Sequence, residues 1–114
     1  MITLDNLNDF RLISNGGVLI ISSPTCVTCK TLKRILSTKE ETIKPEVFNY
    51  ELSTGEDIVT VKEVRISLSK VPTVLYVEPY RDTVIIHTLS LNIEKLISLA
   101  NNLYEQHKEA ANET

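Results

Sequence analysis

Between Gly16-Gly17 and Ser22-Ser23-Pro24 the chain carries four consecutive apolar residues, Val18-Leu19-Ile20-Ile21, three of them β-branched. A strand with one wet face alternates apolar and polar side chains, whereas an unbroken run has no face to offer to water. Such a strand belongs inside a sheet that is covered on both sides. In a chain of 114 residues this means one α/β layer structure, with helices on both faces of a central sheet.

The remaining pattern supplies the other elements. Leu4, Leu7, Phe10 and Ile13 recur at a spacing of three, which predicts a short amphipathic helix ending at Asn15-Gly16-Gly17. After the buried strand the pattern turns helical from Cys26 to about Thr38, with Leu32, Ile35 and Leu36 opposite Lys30, Lys33 and Arg34. Val47 to Leu52 alternates as a strand behind Pro45. From Glu56 to Leu68 two signals compete. Glu56 and Asp57 suit the first turn of a helix, while Ile58, Val59, Val61, Val64 and Ile66 favour strand. A helix is expected there. Thr73 to Val77 and Thr83 to Leu89 form a hairpin about a turn at Glu78 to Asp82. Ile93, Leu96, Ile97, Ala100, Leu103 and Tyr104 share one face of a final helix, with Asn92 as its N-cap. The expected order is α-β-α-β-α-β-β-α, a mixed sheet of four to five strands. Residues 1–108 make one domain, and 109–114, which carry no apolar stripe, are expected to fray.

Composition narrows the function. A formal charge of −3 argues against general binding of nucleic acid or an acidic membrane. No apolar run approaches the roughly 20 residues of a membrane span, and Met1 to Asn6 has no leader character. A cytoplasmic protein is expected.

Both cysteines of the chain fall in Ser22-Ser23-Pro24-Thr25-Cys26-Val27-Thr28-Cys29-Lys30, where the buried strand stops and a helix begins. Three readings are open: a redox couple, half of a metal site, or two buried small hydrophobes. A cysteine at a helix start lies beside free N–H groups and the positive end of the helix dipole, which favour its thiolate. A second cysteine three residues on lies on the same side, one turn along, and can resolve a mixed disulfide. Cys26 is then the attacker and Cys29 the resolver. A zinc site commonly needs four ligands. His87 and His107 have no ligand spacing to each other or to the cysteines, so no metal is expected unless two chains pool their cysteines around one. Placement favours exchange chemistry.

With C-V-T-C-K at a strand–helix junction, and Val71-Pro72-Thr73 opening a later strand, the chain resembles the thioredoxin family from Ile2 to about His107. The resemblance implies the thioredoxin fold and a cis Val71–Pro72 bond packed against the cysteine pair. It implies that Thr25, Val71 and Pro72 meet substrate, with the Val71 backbone pairing with an extended segment. It implies a monomeric protein disulfide oxidoreductase without a cofactor. Its partners would be disulfide-containing proteins and an electron donor, either a thioredoxin-reductase-like protein or a small thiol.

The chain also departs from the family. Thr25 stands where thioredoxins have tryptophan, Val27-Thr28 where they have Gly-Pro, and Ile20 where they have a buried acid. Lys30 matches the basic residue that often follows the pair. Leu89-Ser90-Leu91-Asn92 does not match the glutathione-binding Gly-Gly…Asp segment of glutaredoxins. These departures keep a second reading open: a binding module of the same fold with little redox activity.

Overall fold

The computed structural model describes residues 1–112. Its elements are β1 (Ile2–Leu4), α1 (Phe10–Asn15), β2 (Gly17–Ser22), α2 (Val27–Thr38), β3 (Val47–Glu51), β4 (Ile58–Val61), β5 (Val64–Ser67), β6 (Thr73–Tyr80), β7 (Thr83–Thr88) and α3 (Ile93–Asn112). Five strands form a mixed sheet in the order β1-β3-β2-β6-β7. β1 and β2 run parallel to β3, and β6 runs antiparallel to both β2 and β7. β2 is the central strand, and every one of its residues is buried, as the VLII run predicts.

Alternation along β2 sends its side chains into two cores. Leu19 and Ile21 join Leu12 of α1, Phe48 of β3 and Val77 of β6 on one face. Val18 and Ile20 join Leu32 and Leu36 of α2, and Leu96, Ala100 and Leu103 of α3, on the other. Helices therefore do cover both faces, though unequally. Phe48, Leu19, Ile20 and Ile21 are at most 1% exposed. At about 25 cal/mol per Å² such burial is the main force holding the layers together.

Several sequence expectations are corrected. The expected helix over Glu56–Leu68 is the hairpin β4–β5, a separate two-stranded sheet. It turns at Lys62-Glu63, both in the left-handed region with φ of 44° and 72°, as tight hairpin turns require. Val59 and Val61 bury their side chains in the α1 core, a period-2 pattern that outweighs the acidic start. The hairpin thus covers the face that α1, six residues long, is too short to cover alone. The turn is tied to the loop before α1 by the Lys62 N–H, which donates to Asn8 Oδ1 at 3.0 Å.

The first helix is also shorter than its spacing suggests. Ile2–Leu4 is a strand beside β3, and the loop that follows is set by side-chain turns. The Asn8 N–H donates to Asn6 Oδ1 at 2.8 Å, and Asp9 caps α1 by accepting from the Arg11 N–H at 2.9 Å. Leu4 and Leu7 still reach the core, but from a strand and a loop. Gly16 ends α1 at φ 74°, where a Cβ would lie 2.5 Å from the Val77 carbonyl oxygen, so this close approach to β6 requires glycine.

The β6–β7 hairpin is longer than expected. β6 runs to Tyr80 and includes Pro79, which lies past Val77, the last β6 residue that β2 pairs. A missing N–H is tolerated there. Asn92 caps α3 as expected, accepting from the Lys95 N–H at 3.2 Å. The frayed tail expected from Glu109 is helical backbone as far as Asn112, and its last two residues lie outside the described residues. No helix of the described residues is long and apolar enough to cross a membrane.

Candidate functional site

The end of β2 delivers the chain through Ser23-Pro24-Thr25 to Cys26, the N-cap of α2. Pro24 keeps helical structure from starting earlier, because it restricts Ser23 before it to extended backbone. Cys26 is itself extended, with φ −87° and ψ 105°, and its Sγ accepts the Cys29 N–H at 3.0 Å. The sulfur occupies the place that a serine or aspartate oxygen takes in an ordinary cap. Cys26 and Cys29 form a disulfide with their Cα atoms 5.2 Å apart. Cys26 is partly exposed, whereas Cys29 is fully buried.

This arrangement gives the two sulfurs different chemistry. Cys26 is open to an incoming group and sits over the free N–H groups of α2. The first turn of α2 holds no acidic side chain to oppose a thiolate. Cys29 has no solvent exposure, and its sulfur is bonded to that of Cys26.

The Val71–Pro72 bond is cis. Pro72 is buried, and with Thr28, Thr31, Leu32, Ile35, Leu91 and Ile93 it lines a shallow cavity of about 180 Å³ against α2. Pro72 and Thr28, one of the two residues between the cysteines, therefore share one surface. Val71 is half-buried and packs on the opposite core. Thr25 is exposed in the loop before Cys26, and Val27, at 75% exposure, is an apolar side chain held out to solvent beside the disulfide. Lys30 is exposed on α2.

The histidines lie in other surroundings. His87 Nε2 is 3.1 Å from Glu78 Oε1 on the neighbouring strand, and His107 is on α3. Among the described residues no three His, Cys, Asp or Glu side chains come together as a metal site.

Sequence reasoning missed a polar set on the α2 side of the sheet. Ser22, fully buried at the end of β2, donates its hydroxyl to Asn49 Oδ1 of β3 at 3.1 Å. Lys33 Nζ lies 3.5 Å from Ser22 Oγ. Ser22 shares the parity of Val18 and Ile20, and Asn49 that of Val47, so all face α2. That parity was the available signal: two polar residues at inward positions of buried strands. Ile20 is fully buried among α2 and α3 side chains and offers no ionisable group.

No family model, curated protein or solved structure matches this chain. What the fold and site define is an α/β protein with a mixed five-stranded sheet and a disulfide at the start of a helix, one sulfur partly exposed and the other buried.

Proposed function

We propose that this chain is a thioredoxin-like thiol–disulfide oxidoreductase that exchanges its Cys26–Cys29 pair with protein disulfides. One observation carries the reading: the disulfide joins a partly exposed helix-capping sulfur to a fully buried one. Further support comes from the sheet order β1-β3-β2-β6-β7, with the cysteines after β2 and a cis proline before β6. The resemblance implies the same placement.

In the reducing direction the Cys26 thiolate attacks a target disulfide and forms a mixed disulfide, releasing one target sulfur as a thiolate. Cys29 then attacks Cys26 Sγ and frees the second target sulfur. Two electrons pass to the target and the 26–29 disulfide forms. Thr25, Val71 and Pro72 are the proposed substrate contacts, with the Val71 backbone pairing with an extended target segment as a short added strand. An external reductant, either the dithiol of a reductase-like protein or two equivalents of a small thiol, resets the pair and is itself left as a disulfide. A cytosolic setting goes with this reading, since thiol pools there keep such couples cycling.

The test is insulin reduction with dithiothreitol, comparing the protein with Cys26→Ser. Turnover that disappears in the variant supports exchange. No turnover above the variant would leave the binding-module reading, which the apolar Ile20 and the exposed Val27 favour.

A further inference from the structure

Cys29 presents a problem that the exchange reading leaves unsolved. When an incoming thiolate of a dithiol attacks Cys26 Sγ, a new S–S bond forms there. The 26–29 bond breaks, and its electron pair leaves on Cys29 Sγ. The reductant's second thiolate then displaces Cys26, the reductant becomes a disulfide, and two electrons remain on the pair. In the opposite direction Cys29 must again be a thiolate to attack Cys26. Both directions thus place a negative charge on a sulfur with no solvent exposure. An uncompensated charge in such a place is costly, and a leaving thiolate departs faster when it is stabilised.

The polar set beneath α2 supplies the compensation. Lys33 follows Cys29 by one helical turn, so the two occupy the same stripe of α2. Helical side chains lean toward the N-terminus, and that of Lys33 does so, with its ammonium beside Ser22, four residues before Cys26. The hydroxyl of Ser22 is oriented by its own bond to Asn49, which leaves its lone pairs toward the ammonium. Such a fixed acceptor holds the cation inward, where it would otherwise swing into water.

Among the described residues, the other charged side chains on the neighbouring elements are exposed or paired elsewhere. β2 presents only Val18, Ile20 and Ser22 to α2. On β3, Glu51 is exposed. On β6, Tyr76 is a buried phenol, and Glu78 is paired with His87 beyond the other end of β2. On α3, Glu94 and Lys95 are exposed, and Glu105 is bonded to Lys44. Lys30 on α2 is exposed.

We propose that Lys33, held under α2 by Ser22 and Asn49, is the positioning residue that stabilises the Cys29 thiolate. This inference rests on the exchange reading, but its test does not. In a Cys26→Ser protein, whose serine keeps the α2 cap, Cys29 is the one thiol left and is titrated by its ultraviolet thiolate absorbance. Lys33→Met lowers the ionised fraction at a fixed pH below the midpoint by about three- to tenfold. Lys33→Arg restores it, and Ser22→Ala lowers it by a smaller factor. Circular dichroism of each variant establishes that it is folded. An unchanged titration in Lys33→Met, or in Ser22→Ala if only that variant folds, overturns the proposal. If the Lys33 effect appears but the unmodified protein fails to reduce insulin, the exchange reading falls and the role of Lys33 in setting the Cys29 charge stands.

Discussion

Cys26 caps the helix that carries Cys29: its sulfur accepts the Cys29 N–H at 3.0 Å while bonded covalently to the Cys29 sulfur. In the proposed exchange the same atom is both the chemical target of an incoming thiolate and a structural part of α2. On the proposed function, a Cys26 thiolate would use the same N–H, so that forming the nucleophile and maintaining the helix start would draw on one hydrogen bond.

A first prediction separates these two duties. Cys26→Ser and Cys26→Ala both abolish the disulfide, but only serine offers an oxygen to the Cys29 N–H. The alanine variant should be less stable than the serine variant by about 1 kcal/mol, the usual value of an N-cap. Urea unfolding of the two variants checks this, and equal midpoints would mean that the cap contributes nothing.

A second concerns the β4–β5 hairpin. Val61 is fully buried between the hairpin and the α1 core. Val61→Ala removes two methyl groups from a packed site and should cost about 2 kcal/mol. Thr60→Ala, an exposed neighbour on the opposite face of the same strand, should change stability little. Matched chemical denaturation of the pair is the check, since a hairpin that is not part of the core would show no difference between them.

A third concerns Tyr76. Its hydroxyl is buried with no hydrogen-bond partner among the described residues. Burial, reinforced by the neighbouring Glu78 and Tyr104, pushes the phenol up to about 12. The unfolded chain releases this proton near about pH 10, while the folded protein still holds it. Stability from this group is complete below about pH 10 and is lost as pH rises from there through about 12. Tyr76→Phe should remove this part of the alkaline destabilisation. At neutral pH the variant should be as stable or more stable by up to about 1–2 kcal/mol, because an orphaned hydroxyl is gone. Thermal unfolding at pH 7 and pH 11 distinguishes this from a hydroxyl that contributes to stability.

What could be read from the sequence divides along physical lines. The VLII run and the periodic stripe of α3 speak for themselves, because burial on two faces or on one helical face leaves a pattern in consecutive residues. The cysteine pair was legible for the same reason: its position depends on the junction of two such elements. The β4–β5 hairpin was not. Its turn uses Lys62-Glu63 in a conformation that glycine or asparagine normally announces, and the acidic start of the segment imitates a helix. β1 was hidden because a three-residue strand draws its stability from pairing with Phe48 to Tyr50, a long-range partner. The Ser22–Asn49–Lys33 set joins three separate elements and becomes visible only when these are packed.

The reduction potential of the Cys26–Cys29 pair tests the proposed exchange function most directly. It is measured by equilibrating the protein in graded dithiol–disulfide buffers and quantifying the alkylated dithiol form. A single two-electron transition between about −270 and −120 mV, the range of known exchange couples, is expected. A potential below about −300 mV, where disulfides are structural and resist cellular thiols, would contradict exchange and leave the pair as a staple at the start of α2.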